Sequence, residues 1–164
     1  HGLRVEPLPG DLELEVETQR LSEPRFAARP YQGTTAVTAV RVRRGLETRR
    51  VPAGSLWVPA DQPDFEVATQ LLEADAPDSL LAWGLVSSVF ERKEWIEGPD
   101  LEALAQEGLK DPKRAAAWEA ALRDPAFAAD PEARSDWWAR QTPYWDETIG
   151  LLPVYRMLRP LPRP

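Results

Sequence analysis

The period of the hydrophobic pattern changes near residue 60 of this chain. Before that point apolar residues tend to alternate with polar ones, as the leucines and valine of 12–16 alternate with glutamates. After it, apolar residues return every three or four positions, as in 65–72. A period of two predicts half-buried strands, and a period of about 3.6 predicts helices. The stretch 54–84 is therefore the junction between a strand-rich part and a helical part.

The strand-rich part predicts an antiparallel sheet of about four or five strands. The predicted strands cover 3–5, 12–16, 35–43, 46–51 and 55–58. Arg44-Gly45 is the predicted turn between the third and fourth of these strands. In the third strand the apolar residues move from odd positions, up to Ala39, to even positions, from Val40. This change of phase predicts a β-bulge, which lets the side chains switch faces.

Three Asp-Pro pairs predict helix starts in the second half of the chain. Aspartate accepts a hydrogen bond from the first helical turn, and proline fits the first helical position. The pairs are Asp111-Pro112, Asp124-Pro125 and Asp130-Pro131. A further helix is predicted over 101–109 from its apolar spacing.

Two more capping residues are predicted close to the junction. Asp61 or Gln62 is expected to cap a helix with Pro63 in its first turn. Asp78 is expected to cap a helical turn over 79–83, which follows the next proline.

Together these elements predict an α+β fold, with an N-terminal antiparallel sheet and a C-terminal helical layer packed on it. We expect a single domain over 1–158, β-rich over 1–60 and helical over 61–141. Residues 151–158 have a strand-like pattern and are a candidate for a strand that returns to the sheet. The proline-rich tail 159–164 has little apolar content and is expected to be disordered.

The composition excludes several classes of chemistry within this chain. There is no cysteine, and the one histidine is His1. An internal His-based zinc site, a Ser-His-Asp triad and a Cys-His pair therefore cannot be built from it. His1 could bind copper through its ring and a free amine, but no second histidine completes that ligand set. The start His-Gly-Leu-Arg-Val, without Met, is interpreted as that of a fragment or processed product.

Charge and hydropathy indicate which partners this chain is expected to bind. The formal net charge is −7, which repels nucleic acid, and no apolar run approaches the roughly 18 residues of a membrane span. We therefore expect neither nucleic acid nor a membrane as a partner. One basic cluster is the local exception, interpreted as the solvated face and tip of a hairpin, with an anion site as the alternative. It consists of Arg41, Arg43, Arg44, Arg49 and Arg50.

Three carboxylates, Glu73, Asp75 and Asp78, lie near one another in sequence and could act as acid and base in a cleft. The alternative is structural, with Asp78 as a helix cap and the other two in a solvated turn. A metal-free glycoside hydrolase that uses Glu73 and Asp78 is the corresponding enzyme hypothesis.

Seven tryptophans are many for 164 residues. They either fill a core that lacks cysteine and is poor in methionine, or form a stacking platform for sugars or peptides. Trp137 and Trp138 are adjacent and cannot both face the same neighbour, so one of them is a candidate for an exposed contact. The candidate binding residues are Asp78, Trp83, Trp138, Tyr144 and Trp145.

Several short motifs occur in a fixed order along the chain. They are Leu71-Leu72-Glu73, Asp78-Ser79-Leu80, Trp83-Gly84, Phe90-Glu91-x-Lys93-Glu94, Asp124-Pro125-x-Phe127-Ala128 and Thr142-Pro143-Tyr144-Trp145-Asp146. In this order they resemble the C-terminal region of bacterial zinc carboxypeptidase-like proteins of the M14 peptidase family. The first five residues are similar to the start of that region.

The resemblance implies an upstream α/β catalytic domain that binds zinc through a His-x-x-Glu pair and a distant histidine. His1 is followed by Arg4 and not by glutamate at that spacing, so no catalytic and no metal-binding residue is carried over to this chain. By the same resemblance, the chain is a non-catalytic accessory domain that stabilises or shields the catalytic domain, its partner. Zinc is then a cofactor of the upstream domain alone, and the protein is secreted or periplasmic. The alternative is a tryptophan-based module that binds peptide or carbohydrate.

Overall fold

The computed structural model describes residues 2–93, 95–159 and 161, which form two compact units. The first, the hairpin unit, consists of His1–Glu91 and Thr148–Pro164. The second, the helical unit, is Arg92–Glu147. The predicted copper site at His1 lies outside the described residues, as do Glu94 of the resemblance and most of the tail predicted to be disordered.

The described residues of the hairpin unit form four strands, one helix and one short 3₁₀-helix. These are β1 (Glu6–Pro7), β2 (Leu12–Phe26), β3 (Val37–Val51), β4 (Leu56–Trp57), α1 (Phe65–Leu72) and the 3₁₀-helix Ser87–Phe90. The helical unit contains α2 (Gly98–Gly108), α3 (Pro112–Ala121), α4 (Pro125–Ala129) and α5 (Pro131–Ala139). The α+β class is therefore confirmed.

A long antiparallel hairpin of β2 and β3 dominates the hairpin unit, with Leu12 opposite Val51 at its open end. The predicted turn at Arg44-Gly45 is wrong, because Gly45 pairs with Thr18 in the middle of the ladder. The chain instead reverses around Gln32 and Gly33, which have positive φ angles of 49° and 81°. A tight reversal needs such angles, and glycine supplies them at little steric cost.

The closed end of this hairpin is irregular. The register shifts between Ser22 and Arg25 and again between Arg25 and Phe26, which lie opposite the Val37–Arg41 part of β3. These register shifts lie beside the place where the apolar phase of the third strand changes, which is where the sequence predicts a β-bulge.

The other two strands form a separate short ladder, in which Glu6 pairs with Trp57. Antiparallel pairing is confirmed, but the described strands form two sheets of two strands each. The predicted single sheet of four or five strands is therefore not confirmed. The reason lies in the long hairpin, since one strand takes up the residues predicted to form the third and fourth strands.

The candidate returning segment runs beside β2. Isolated antiparallel bridges join Leu151 to Arg20 and Arg156 to Glu17, without a continuous strand. The amide of Gly150 also donates to the carbonyl of Val89 at 2.8 Å. The segment thus lies on the edge of β2 that β3 leaves open.

The core of the hairpin unit joins the hairpin to the segment after α1 and to the returning segment. Its buried members are Leu21, Val37, Ala74, Leu81, Val89 and Leu152.

Gly84 has φ of +75°, and a Cβ there would lie 2.1 Å from the carbonyl oxygen of Thr35. The absence of a side chain at Gly84 therefore allows the chain to pack closely against the hairpin.

The three helix starts predicted from Asp-Pro pairs are confirmed. Asp111 accepts a hydrogen bond from the amide of Lys113 at 2.9 Å, and Asp124 accepts one from Ala126 at 2.9 Å. Asp130 accepts from both Glu132 and Ala133, at 2.9 and 3.1 Å. The fourth predicted helix, α2, begins at Gly98, three residues earlier than expected.

The two caps predicted near the junction are wrong. The first helix starts at Phe65, after Asp64, while Asp61 forms an ion pair with Arg4 and Gln62 accepts a hydrogen bond from the Arg4 amide at 2.7 Å. In the second case the capping oxygen belongs to Ser79, which accepts from the amide of Ala82 at 3.0 Å. The first prediction fails because the side chains of Asp61 and Gln62 bind the distant Arg4. The second fails because the hydroxyl of Ser79, the next residue, takes the capping role expected of Asp78.

Candidate functional site

The five candidate binding residues are divided between the two units. Asp78 and Trp83 belong to the hairpin unit, where Asp78 is exposed and Trp83 is 41% exposed. Trp138, Tyr144 and Trp145 belong to the helical unit.

The expectation that Trp138 offers an exposed contact is wrong, since its side chain is 7% exposed. Its ring centroid lies 5.3 Å from that of Trp118 and 4.8 Å from that of Trp137. Trp118 also contacts Phe127 edge to face, at 5.8 Å. These rings fill the space between the helices of the unit, which is the structural alternative for the tryptophans.

A second aromatic group alternates with arginines at the surface of the helical unit. The guanidinium carbon of Arg92 lies 4.9 Å from the ring centroid of Trp95 and 5.3 Å from that of Trp145. The guanidinium carbon of Arg140 lies 4.7 Å from the ring centroid of Trp145. We call Trp95, Arg92, Trp145 and Arg140 the Arg-Trp stack. At these distances each cation is attracted to the electron-rich face of a ring.

The Arg-Trp stack is anchored at its centre. Arg92 forms an ion pair with Asp136 of α5 at 3.0 Å, so its position between the two rings is held by a second interaction. Trp95, by contrast, is 72% exposed, and the candidate residue Tyr144 is 61% exposed. The helical unit therefore presents aromatic surface to solvent at both residues, and at Trp95 this surface lies beside the fixed cation of Arg92.

Trp95, Arg92 and Arg140 were missed by sequence reasoning. Trp95 lies outside every helix, and no apolar stripe includes it. That position was the available signal, because a tryptophan without helical neighbours to pack against is the one expected to remain exposed.

The carboxylates considered as an acid–base pair belong to an ion-pair network in the hairpin unit. Glu73 contacts Arg156 at 2.6 Å and Arg44 at 3.5 Å. Arg44 also contacts Asp75 at 2.8 Å, and Arg156 contacts Glu17 at 3.2 Å. The network therefore joins both strands of the hairpin to the segment after α1 and to the returning segment.

This network keeps Asp75 ionised. The hydrogen bond from Arg44 lowers the pKa of Asp75, although partial burial opposes the shift. The same hydrogen bond raises the pKa of Arg44. A general acid needs a raised pKa and access to substrate, so these charges are arranged for structure and not for proton donation.

Most of the basic cluster is also paired. Arg41 contacts Glu23 at 3.1 Å, Arg49 contacts Glu47 at 3.6 Å, and Arg50 pairs with Asp11. The cluster lies along β3 and not at the hairpin tip, since the predicted turn is absent. Its charge is thus largely balanced by neighbouring carboxylates, which weakens the alternative of an anion site.

Two further features of the described residues bear on function. In that part of the chain no three His, Asp or Glu side chains are grouped so as to hold a metal ion. None of its helices combines the length and the apolar character that a membrane span requires.

Comparisons with protein-family models, with curated proteins and with solved structures found no match to this chain. The resemblance to the M14 peptidase family therefore remains a hypothesis that depends on the short ordered motifs.

Proposed function

We propose that this chain is a non-catalytic accessory domain of an M14-like zinc metallocarboxypeptidase, whose catalytic domain lies upstream. Its role is to stabilise or shield that catalytic domain, and the zinc and the peptide substrate belong to the upstream part. The predicted packing of a helical layer on the sheet is part of this proposal.

The observation that carries the proposal is the pairing of Glu73 and Asp75 with Arg44 and Arg156. The carboxylates that the sequence offers for acid–base chemistry thereby serve to hold strands and loop together. Because breaking such pairs costs stability, they are poorly suited to bind and release substrate. The lone histidine of the sequence supports the same assignment, since hydrolytic zinc sites in this family use two.

The first test uses the purified chain. We expect no stoichiometric zinc by elemental analysis and no release of C-terminal residues from a peptide after zinc is added. Metal-dependent turnover by this chain would contradict the proposal.

The second test concerns the partner. The coding sequence upstream of His1 should specify a His-x-x-Glu motif and a second histidine far downstream of it. Expressed separately, that upstream part should show a higher melting temperature when this chain is added than when an unrelated protein of the same charge is added. An unchanged melting temperature would exclude a stabilising role.

A second candidate function is supported by the Arg-Trp stack. Exposed Trp95, beside the cation of Arg92, and exposed Tyr144 would serve a module that binds peptide or carbohydrate, because flat rings stack on sugar faces and on proline or aromatic side chains. Tryptophan fluorescence should then change on titration with an oligosaccharide or peptide panel. Trp95→Ala should abolish the response and Trp83→Ala, in the other unit, should preserve it. No change in tryptophan fluorescence with any oligosaccharide or peptide of the panel would count against this function.

A further inference from the structure

A small cleft in the helical unit is lined by one charged side chain, that of Arg114. Its volume is about 80 Å³, and it is lined by Leu104, Arg114, Trp138, Gln141, Thr142 and Pro143. Apart from Arg114, the lining is apolar or carries no charge. The cleft is separate from the Arg-Trp stack in its residues.

Arg114 is half-buried in α3 and makes no ion pair or hydrogen bond through its side chain with any other residue that the structure describes. It lies over Gly108, where a Cβ would come within 3.1 Å of the Cδ and Nη1 atoms of Arg114. The same Cβ would lie 2.7 Å from the ring of Trp138. Gly108 therefore allows the half-buried arginine and the ring of Trp138 to approach the same point.

The other two polar side chains of the cleft each make at least one hydrogen bond. The hydroxyl of Thr142 donates to the carbonyl of Ala139 at 2.7 Å and accepts from the amide of Tyr144 at 3.3 Å. The side-chain nitrogen of Gln141 donates to the carbonyl of Trp137 at 3.4 Å. Among the polar side chains of the cleft, that of Arg114 is therefore the one without a hydrogen bond to a residue that the structure describes.

The size and chemistry of the cleft limit what it can hold. Sites for whole small-molecule ligands usually measure about 300–1,000 Å³, so a cleft of this size suits one terminal group. A guanidinium presents a planar fork of donors that matches the two oxygens of a carboxylate. The Trp138 ring and Leu104 can cover the carbon atoms attached to such a group.

We propose that this cleft binds the carboxylate of a peptide, either the C-terminal carboxylate or that of an Asp or Glu side chain, through Arg114. This assignment rests on the cleft alone and does not depend on either proposed function. The charge of Arg114 supplies the attraction, and partial burial strengthens it relative to an exposed arginine.

The test is an NMR titration of the full chain labelled with ¹⁵N, followed at the side-chain Nε of Arg114 and the indole nitrogen of Trp138. N-acetylglycine supplies a terminal carboxylate, N-acetylaspartic acid α-amide supplies a side-chain carboxylate, and N-acetylglycinamide is the neutral control. We expect saturable shifts with the two acids, with dissociation constants in the millimolar range, and none with the neutral amide. The tighter of the two acids identifies the source of the carboxylate.

Variants separate this site from general charge attraction. Arg114→Gln should weaken binding about tenfold or more, since it removes a charge-assisted pair. Arg123→Gln removes an exposed arginine of the same unit and should leave binding unchanged. If Arg114→Gln fails to fold, Arg114→Lys keeps the charge but lacks the fork, and should weaken binding several-fold.

Four results would overturn the proposal. They are equal shifts with the neutral amide, no shift with either acid, equal loss in the Arg114 and Arg123 variants, and binding of inorganic phosphate as tight as that of N-acetylglycine.

Discussion

The carboxylate of Glu73 accepts a hydrogen bond from the guanidinium of Arg156 at 2.6 Å, across 83 positions of sequence. Glu73 ends α1, and Arg156 lies in the returning segment that pairs with β2. Arg44 of β3 completes the arrangement through Glu73 and Asp75. Segments that are remote in sequence are thus joined by charges, at the place where the hairpin, the post-helix segment and the returning segment meet.

Arg44→Gln should destabilise the hairpin unit. The change removes the ion pairs to Asp75 and Glu73, and because these groups are partly exposed we expect a loss of about 1 kcal/mol in the free energy of unfolding. Denaturant unfolding at low salt measures it. The matched control is Arg43→Gln, since Arg43 is the adjacent residue, is exposed and forms no ion pair with a described residue. Equal losses in the two variants would show that the network contributes nothing specific.

Stability should fall in acid through Glu47. The hydrogen bond from Arg20 lowers the pKa of Glu47 below its ordinary value of 4.5. A lowered pKa in the folded state means that the contribution is fully present above about pH 4.5 and is lost as pH falls through the folded-state pKa. Glu47→Gln should therefore lower stability at pH 7 and flatten its decline below pH 4.5. Glu91→Gln, which removes a carboxylate at an exposed position, is the matched control.

Gly84→Ala should be strongly destabilising. The new Cβ meets the carbonyl of Thr35 at 2.1 Å, and φ is +75°, so steric clash adds to backbone strain. We expect a loss of about 2–4 kcal/mol. Gly33→Ala separates the two causes, because Gly33 has φ of +81° and no atom within 4 Å of the new Cβ. This variant has the backbone strain alone, and we expect it to lower the free energy of unfolding by about 1 kcal/mol. Thermal unfolding of both variants compares their losses of stability. Equal losses would show that the close approach of Gly84 to the carbonyl of Thr35 contributes nothing.

Asp130→Ala should weaken the start of α5. It leaves the amides of Glu132 and Ala133 without their acceptor, with an expected loss of about 1 kcal/mol. Asp130→Asn keeps an acceptor oxygen and should recover most of the loss. Because α5 carries Trp137 and Trp138, the emission maximum of tryptophan reports its unfolding directly. A neutral effect of the alanine variant would contradict a role for this cap in stability.

Acrylamide should quench Trp95 more than Trp138. The first side chain is 72% exposed and the second 7%, so collision with a solvent quencher is open at one and blocked at the other. Trp95→Phe should reduce the quenchable fraction of the emission, while Trp138→Phe should increase it. The opposite order would mean that the aromatic surface of the helical unit is differently packed in solution.

The sequence predicted the helical unit better than the hairpin. An Asp-Pro pair at a helix start depends on atoms two or three residues apart, so Asp111, Asp124 and Asp130 could be identified without tertiary structure. A strand register depends on residues far away in sequence. Gly45 has a composition that suits a turn, but its place opposite Thr18 is decided by the positive φ angles at Gln32 and Gly33.

The candidate site was predicted only in part. Tyr144 is exposed and Trp145 belongs to the Arg-Trp stack, but Trp138 is buried. The packing of the helices, which the sequence does not show, determines the environments of the adjacent Trp137 and Trp138. The Arg-Trp stack brings Arg92 and Arg140 onto one ring, and nothing in their spacing indicates that contact. Likewise, the place of Arg114 in the cleft is visible only once its neighbours are known.

The hydrogen bond between Gly150 and Val89 has a consequence for how the gene could be shortened. It joins residues that each lie two positions inside the points at which the chain leaves the hairpin unit, after Glu91, and re-enters it, at Thr148. The helical unit is therefore an insertion between the two segments of the hairpin unit. Replacing 92–147 by a few glycine and serine residues should give a miniature protein that retains the hairpin, its buried cluster and its charge network.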